Sequence, residues 1–306
     1  MSYSLGAREA SLAPFGWLSY TKLMNLSAIQ SATKKYGLLE LDQAPQLASL
    51  LGLDLTHLEN EKTIKDLIAQ LGQIGAQHSS GLVVDPIYSF SLVDHDGVAG
   101  LLTRVTTLNE EVDPLVVPTL IPDYGLEELS ENYSLAKLEL YYHPQEEKAL
   151  QKKQLLAEIH DYCDYLDIKL LLKLIIYTPA KIEFTQDQFQ QDQLQAVQEL
   201  RSFTDLIALQ YPLTPLAAAT VTAELDIPWI LINQARDYEE FKQTLRASLE
   251  NGAAGFMAGQ SLWAELGNYK QPDHSPDLAK IKEFVQTTFQ DRLIELMRIV
   301  KEGSGG

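Results

Sequence analysis

Eight short apolar runs, separated by longer amphipathic stretches, constrain the fold of this chain more than any other feature. The runs are Gly37–Leu41, Gly81–Val84, Ala99–Val105, Leu135–Tyr142, Lys169–Tyr177, Leu206–Leu213, Trp229–Ile232 and Ala253–Ala258. Most are apolar along their length rather than alternating, as parallel strands covered on both faces are. Between them lie helical patterns such as Glu146–Leu166, Gln186–Ser202, Tyr238–Glu250 and Asp277–Val300. Eight β-α units over 306 residues predict an α/β protein built as a single (β/α)8 TIM barrel. Residues 36–300 are assigned to that barrel. Residues 1–35, with a helix over Trp17–Gln30, form an extension that closes the barrel bottom or packs beside it, and residues 301–306 form a flexible tail. No Pro/Gly/Ser-rich linker divides the chain and no short-period repeat runs through it. The glutamine-rich stretch 186–195 carries Phe189 and Leu194, with Val197 following at near-helical spacing, and reads as a solvated helix face.

Charge and cysteine usage narrow the setting. Lysine and arginine total 24 against 42 aspartate and glutamate, a formal net charge of −18, which disfavours nucleic-acid or anionic-membrane partners. No apolar run reaches membrane-spanning length and the N-terminus lacks a basic-then-apolar leader, so the expected location is cytoplasmic. Cys163 is the only cysteine, which rules out an internal disulfide or a thiolate metal cluster and suits a packing role between two acidic neighbours. The six histidines show no zinc spacing, and neither a metal nor a cofactor is expected. Asp94-His-Asp-Gly97 reads as a polar turn ending in glycine rather than a metal loop. His143, just past the fourth run, is the histidine best placed to act as an acid or base.

In a barrel of this class the chemistry lies at the C-terminal ends of the strands. Four of those ends carry charge: Asp42 and Gln43 in Leu39-Glu-Leu-Asp-Gln43, Asp85 in Leu82-Val-Val-Asp-Pro86, Lys137 in Leu135-Ala-Lys-Leu-Glu-Leu-Tyr-Tyr142, and Lys173 in Ile168-Lys-Leu-Leu-Leu-Lys173. Taken in order with Thr204-Asp-Leu-Ile-Ala-Leu-Gln-Tyr-Pro-Leu213, Ile227-Pro-Trp-Ile-Leu-Ile-Asn-Gln-Ala235 and Gly255-Phe-Met-Ala-Gly-Gln-Ser-Leu-Trp263, these segments resemble class I sugar-phosphate aldolases of the tagatose-bisphosphate and sulfofructose-phosphate type. The likeness runs from about Tyr36 to Trp263.

The same resemblance makes its departures legible. The family's Schiff-base lysine falls on strand six, where this chain has Ala208. Gln210 replaces the glutamate two residues later. On strand five, Lys173 stands where the family has a glutamate that holds the nucleophile. Ala44 replaces an arginine after Asp42 and Gln43, and Gln260 replaces an anion-binding arginine after strand eight. Asn233 falls at the phosphate end of strand seven. The substrate-contacting lysine of strand four is kept as Lys137.

Two readings of the inward lysines follow. In one, Lys137 and Lys173 repel each other, at least one pKa falls, and a neutral amine attacks a carbonyl substrate. In the other they pair with inward carboxylates drawn from Glu40, Asp42, Asp85 and Glu139, because buried charges need partners whether or not any chemistry occurs. The expectation is a divergent aldolase-like barrel, without Schiff-base activity or with an active lyase site relocated to Lys137 or Lys173. Its partner would be a small carbonyl or sugar-phosphate-like ligand contacted by Asp42, Gln43, Asp85, Gln210, Asn233 and Gln260. A homo-oligomer is compatible with the sequence.

Overall fold

The computed structural model of the chain describes residues 25–93, 100–107, 113–179, 183–232 and 237–303. Over these, eight parallel strands pair in sequence order: β1 (Tyr36–Glu40), β2 (Gly81–Val84), β3 (Gly100–Arg104), β4 (Leu135–Tyr142), β5 (Leu170–Ile176), β6 (Leu206–Leu209), β7 (Trp229–Ile232) and β8 (Gly255–Ala258). β8 returns to β1, pairing Tyr36 with Gly255 and Leu39 with Ala258, and the barrel closes. The chain is therefore the single (β/α)8 barrel that its spacing predicts.

Strand burial explains why the runs read as continuous apolar segments. All seven residues of β5 are buried. Leu170, Leu172, Leu174 and Ile176 face the helices, whereas Leu171 and Ile175 join the barrel interior. Side chains alternate across a strand, so Lys173 shares the inward face with Leu171 and Ile175. The same parity sends Leu135 and Tyr141 of β4 inward, and with them Lys137 and Glu139, while Ala136, Leu138 and Leu140 pack outward. On β6, Leu206 and Ala208 point inward and Ile207 and Leu209 outward.

The helices are α1 (Ala44–Leu51), α2 (Leu58–His78), α3 (Leu126–Glu131), α4 (Ala149–Tyr165), α5 (Gln186–Leu200), α6 (Pro215–Glu224), α7 (Tyr238–Glu250), α8 (Gln260–Trp263), α9 (Leu278–Phe284) and α10 (Gln290–Glu302). Their starts follow capping chemistry. The side chain of Thr185 accepts from Gln188 N, that of Thr214 from Ala217 N ahead of Pro215, and that of Asp237 from Glu239 N and Glu240 N. Asp277 caps α9 in the same way. The C-terminal helix expected over Asp277–Val300 is interrupted by a π-helical turn, Val285–Phe289, between α9 and α10. Helix α4 begins at Ala149 rather than Glu146, because the Glu146 carboxylate is drawn into a buried network. No helix among the described residues is long and apolar enough to cross a membrane.

Below the strands, a 3-10 turn at Leu26–Ile29 lies under β2 and β3. Ile29 is fully buried in the interior cluster, and the Ser80 hydroxyl donates to its carbonyl at 2.7 Å. Gly100 makes this approach close: a Cβ there would lie 2.1 Å from the Ala28 carbonyl oxygen. The helix expected over Trp17–Gln30 lies largely outside the described residues.

Candidate active site

Toward the C-terminal ends of the strands the interior changes from apolar to ionic. One step above Leu38, Leu102, Leu135 and Leu171 stand Glu40, Arg104, Lys137 and Lys173, with Glu139 above Lys137. Strand register sets their neighbours: Arg104 pairs with Lys137, Glu139 with Lys173, and Lys173 with Ala208. Charges this deep carry a desolvation cost of several kcal/mol each unless they are paired. Here they are paired. Lys137 Nζ lies 2.6 Å from Asp42 Oδ2, 3.1 Å from Glu40 Oε1 and 3.5 Å from Glu139 Oε2. Lys173 Nζ lies 2.6 Å from the same Glu40 oxygen and 3.1 Å from Glu139 Oε2. Arg104 Nε is 3.4 Å from Asp42 Oδ2, and its Nη1 donates to the Thr106 carbonyl at 2.6 Å. Three carboxylates thus face three cations in one contiguous cluster.

The titration of these groups follows from that geometry. Burial alone would depress the Lys173 ammonium, but Glu139, Glu40 and Asp42 outweigh it and raise its pKa above the ordinary lysine range. Burial alone would raise Glu139, but the ammonium groups of Lys173 and Lys137 outweigh it and hold the carboxyl at about 2. Glu40 is lowered by the same two lysines against its burial. Asp42 goes the other way: burial, with Glu40 sharing the Lys137 ammonium, raises it despite the short contact to Lys137. Two carboxylates on one cation split in this fashion. At Lys173 the geometry follows the second of the two readings, pairing with inward carboxylates, and not a pKa lowered by lysine–lysine repulsion. Glu40 Oε1 contacts both ammonium groups, and attraction to carboxylates exceeds the repulsion between the amines.

The other expected site residues are placed differently. Gln43 donates to Glu40 Oε2 at 3.4 Å, and its Oε1 would lie 3.0 Å from a Cβ on Gly259. The same Cβ would meet Glu40 Cβ at 3.1 Å, so the open approach at the end of β8 is filled by Gln43 and Glu40. Asp85 does not join the cluster: Oδ1 accepts from the backbone of Ile87 and Tyr88, and Oδ2 from Ser89 Oγ, which builds the turn after β2. Gln210 fastens β6 to β5, accepting from Ile176 N at 2.6 Å and donating to Ile176 O at 3.1 Å. Gln260 opens α8 and is half-buried. Asn233 and the Asp94–Gly97 turn lie outside the described residues.

His143 is locked rather than poised. Its Nδ1 accepts from Gln145 N at 3.2 Å and its Nε2 lies 3.3 Å from Asp192 Oδ2, which joins the end of β4 to α5. Beside it, Lys152 of α4 is fully buried and donates to Glu146 at 2.7 Å, to Tyr141 O at 2.8 Å and to Pro114 O at 2.6 Å. Tyr177 donates to the same Glu146 oxygen. Cys163 is buried, and its thiol is pushed up to about 12, mainly by burial, as a packing residue's would be.

Arg104 and Tyr141 are the residues that sequence reasoning missed. Both were signalled by alternation, Tyr141 from Lys137 and Glu139, and Arg104 from Leu102. They line a cavity of about 250 Å³ directly beside the ionic cluster. Among the described residues, two buried atoms of the cluster, Asp42 Oδ1 and Arg104 Nε, have no hydrogen-bond partner, although Arg104 Nε keeps its 3.4 Å ion-pair contact with Asp42 Oδ2.

Together the barrel and its ionic mouth define the class of (β/α)8 proteins with polar groups gathered above an apolar core. No protein-family model matches the chain. Solved structures that it resembles are aldolase-like barrels. An archaeal fructose 1,6-bisphosphate aldolase is 14% identical with a TM-score of 0.65, over 92% of this chain and 100% of that one. An archaeal fructose-1,6-bisphosphate aldolase, described with its catalytic lysine covalently bound to the carbinolamine intermediate, is 14% identical with a TM-score of 0.61, over 90% and 99%. A fructose-bisphosphate aldolase from Slackia heliotrinireducens is 13% identical with a TM-score of 0.59, over 89% and 88%. At such identities the shared property is the fold.

Proposed function

We propose that the chain is a small-molecule-binding barrel of aldolase fold that does not cleave carbon–carbon bonds through a Schiff base. The carrying observation is that Ala208 occupies the inward position of β6 beside Lys173, whose Nζ is held at 2.6 Å by Glu40 and 3.1 Å by Glu139. A Schiff base needs a neutral amine to attack a carbonyl. Alanine has none, and the carboxylates around Lys173 favour its charged form. Lys137 is likewise enclosed by three carboxylates and is fully buried. In this reading the two mouth lysines hold the site together, and the protein works in the cytoplasm on a small-molecule ligand.

The test is borohydride trapping with fructose 1,6-bisphosphate, dihydroxyacetone phosphate and simple aldehydes, read by intact mass and peptide mapping. The expected result is no adduct under conditions in which an authentic class I aldolase is fully trapped. An adduct on Lys137 or Lys173, lost on Lys137→Ala or Lys173→Ala, would overturn this reading in favour of a relocated lyase site.

A further inference from the structure

The cavity beside the ionic cluster has a composition that specifies what it would accept. It is lined by the charged Arg104 and Glu139, by the hydroxyl-bearing Thr106, Thr107 and Tyr141, and by apolar residues that include Val116. Glu139 turns Oε2 to the two lysines, and Oε1 takes no partner among the described residues. Arg104 is 3% exposed and lines the cavity, with Nε turned to Asp42 Oδ2 at 3.4 Å and Nη1 on the Thr106 carbonyl. A guanidinium and a carboxylate therefore line one space of about 250 Å³, room for roughly eight waters at ~30 Å³ each.

Charge decides the class of ligand. Glu40, Asp42 and Glu139 balance Lys137, Lys173 and Arg104 within the cluster, so no net charge is left for a ligand to neutralise. A phosphate group would meet both Glu139 and Asp113, with Arg104 the only cation lining the cavity among the described residues. The small-residue approach at the end of β8, where an anion could meet the backbone, is filled by Gln43 and Glu40. Hydroxyl groups meet neither obstacle, because each both donates and accepts. They can donate to Glu139 and accept from Arg104 and Tyr141 while the carbon skeleton lies against Val116. We propose that this cavity binds an uncharged polyhydroxylated small molecule, a free sugar or polyol of about three to six carbons, and not a phosphate ester.

The proposal rests on the reading above for the absence of lyase chemistry, and the two are tested separately. Calorimetric titration of the intact protein would use xylitol, D-fructose and dihydroxyacetone, set against fructose 1,6-bisphosphate, glycerol 3-phosphate and serine. At least one uncharged compound is expected to bind, each phosphate ester and serine at least tenfold more weakly or not at all. Tyr141→Phe keeps the ring and is expected to weaken binding roughly fivefold, as loss of one hydrogen bond does. Arg104→Leu is expected to abolish it. Because Arg104→Leu also disturbs the cluster, Tyr141→Phe and Thr107→Val, with melting temperatures recorded, carry the test if it fails to fold. Preference for a phosphate ester or serine, no binding by any uncharged compound, or unchanged affinity in Tyr141→Phe would overturn the ligand class. Borohydride adducts with an uncharged ketose would leave that class standing and sink the proposal of lost lyase chemistry instead.

Discussion

Lys173→Met removes the cation shared by Glu40 and Glu139 while keeping much of the side chain's length. Two buried carboxylates would then be left with only Lys137 between them, and breaking a buried pair from one side costs about 3–5 kcal/mol. A loss of that size in urea unfolding, with an unchanged denaturant slope, is the expected outcome; a variant as stable as the parent would contradict the pairing. Acid provides a second check. Glu139 is held at about 2 against an ordinary value of 4.5, so its folded-state pKa is depressed. Its contribution is therefore fully present above about pH 4.5 and is lost as pH falls through about 2, on the order of 3 kcal/mol. Glu139→Gln is expected to flatten that part of the acid limb in pH-dependent melts. The residues of this cluster were only partly legible in the sequence. Alternation placed Lys137 and Lys173 inward, but which carboxylates reach them depends on how far each strand end projects. Asp85 sits one strand from Asp42 yet folds its carboxylate onto its own turn, a choice made by Ser89 and the local backbone rather than by strand parity.

At the scale of elements, the strands were the most legible part, because a two-sided apolar run has few alternatives in a chain whose helical stretches alternate with it. Strand β6 is shorter than its apolar pattern, ending at Leu209 rather than Leu213. There Gln210 turns its amide onto Ile176, Pro212 supplies no N–H, and Leu213 adopts φ 66, so the ladder cannot continue. The π-helical turn between α9 and α10 was invisible because its residues satisfy the same apolar period as the helices around it. Gly100 is the element-scale position most exposed to test. Gly100→Ala would drive a methyl group into the Ala28 carbonyl, which is backbone and cannot rotate away. The 3-10 turn beneath β2 and β3 would have to shift, taking Ile29 out of the barrel interior. A loss of more than ~2 kcal/mol in chemical denaturation is expected, whereas a neutral effect would mean that the turn does not seal the barrel.

At the scale of the whole molecule, two kinds of electrostatics are separated by the barrel wall, and salt distinguishes them. The chain carries 42 acidic against 24 basic residues, so its surface repels itself at neutral pH. Screening shortens the reach of that repulsion to about 10 Å at 0.1 M salt. Raising sodium chloride from 10 mM to 0.15 M is therefore expected to stabilise the fold by about 1 kcal/mol, roughly 2–3 °C in melting temperature. The cluster at the mouth behaves otherwise. Its members are between 0% and 11% exposed, too little for salt ions to be expected between Lys137 and its three carboxylates. The destabilisation caused by Lys173→Met should hence be the same at every salt concentration, two parallel curves in a thermal-shift series. Curves that converge as salt rises would mean that the cluster is open to solvent ions. Its lysines would then be far less confined by carboxylates, and the case for a locked site rather than a reactive one would fail with it.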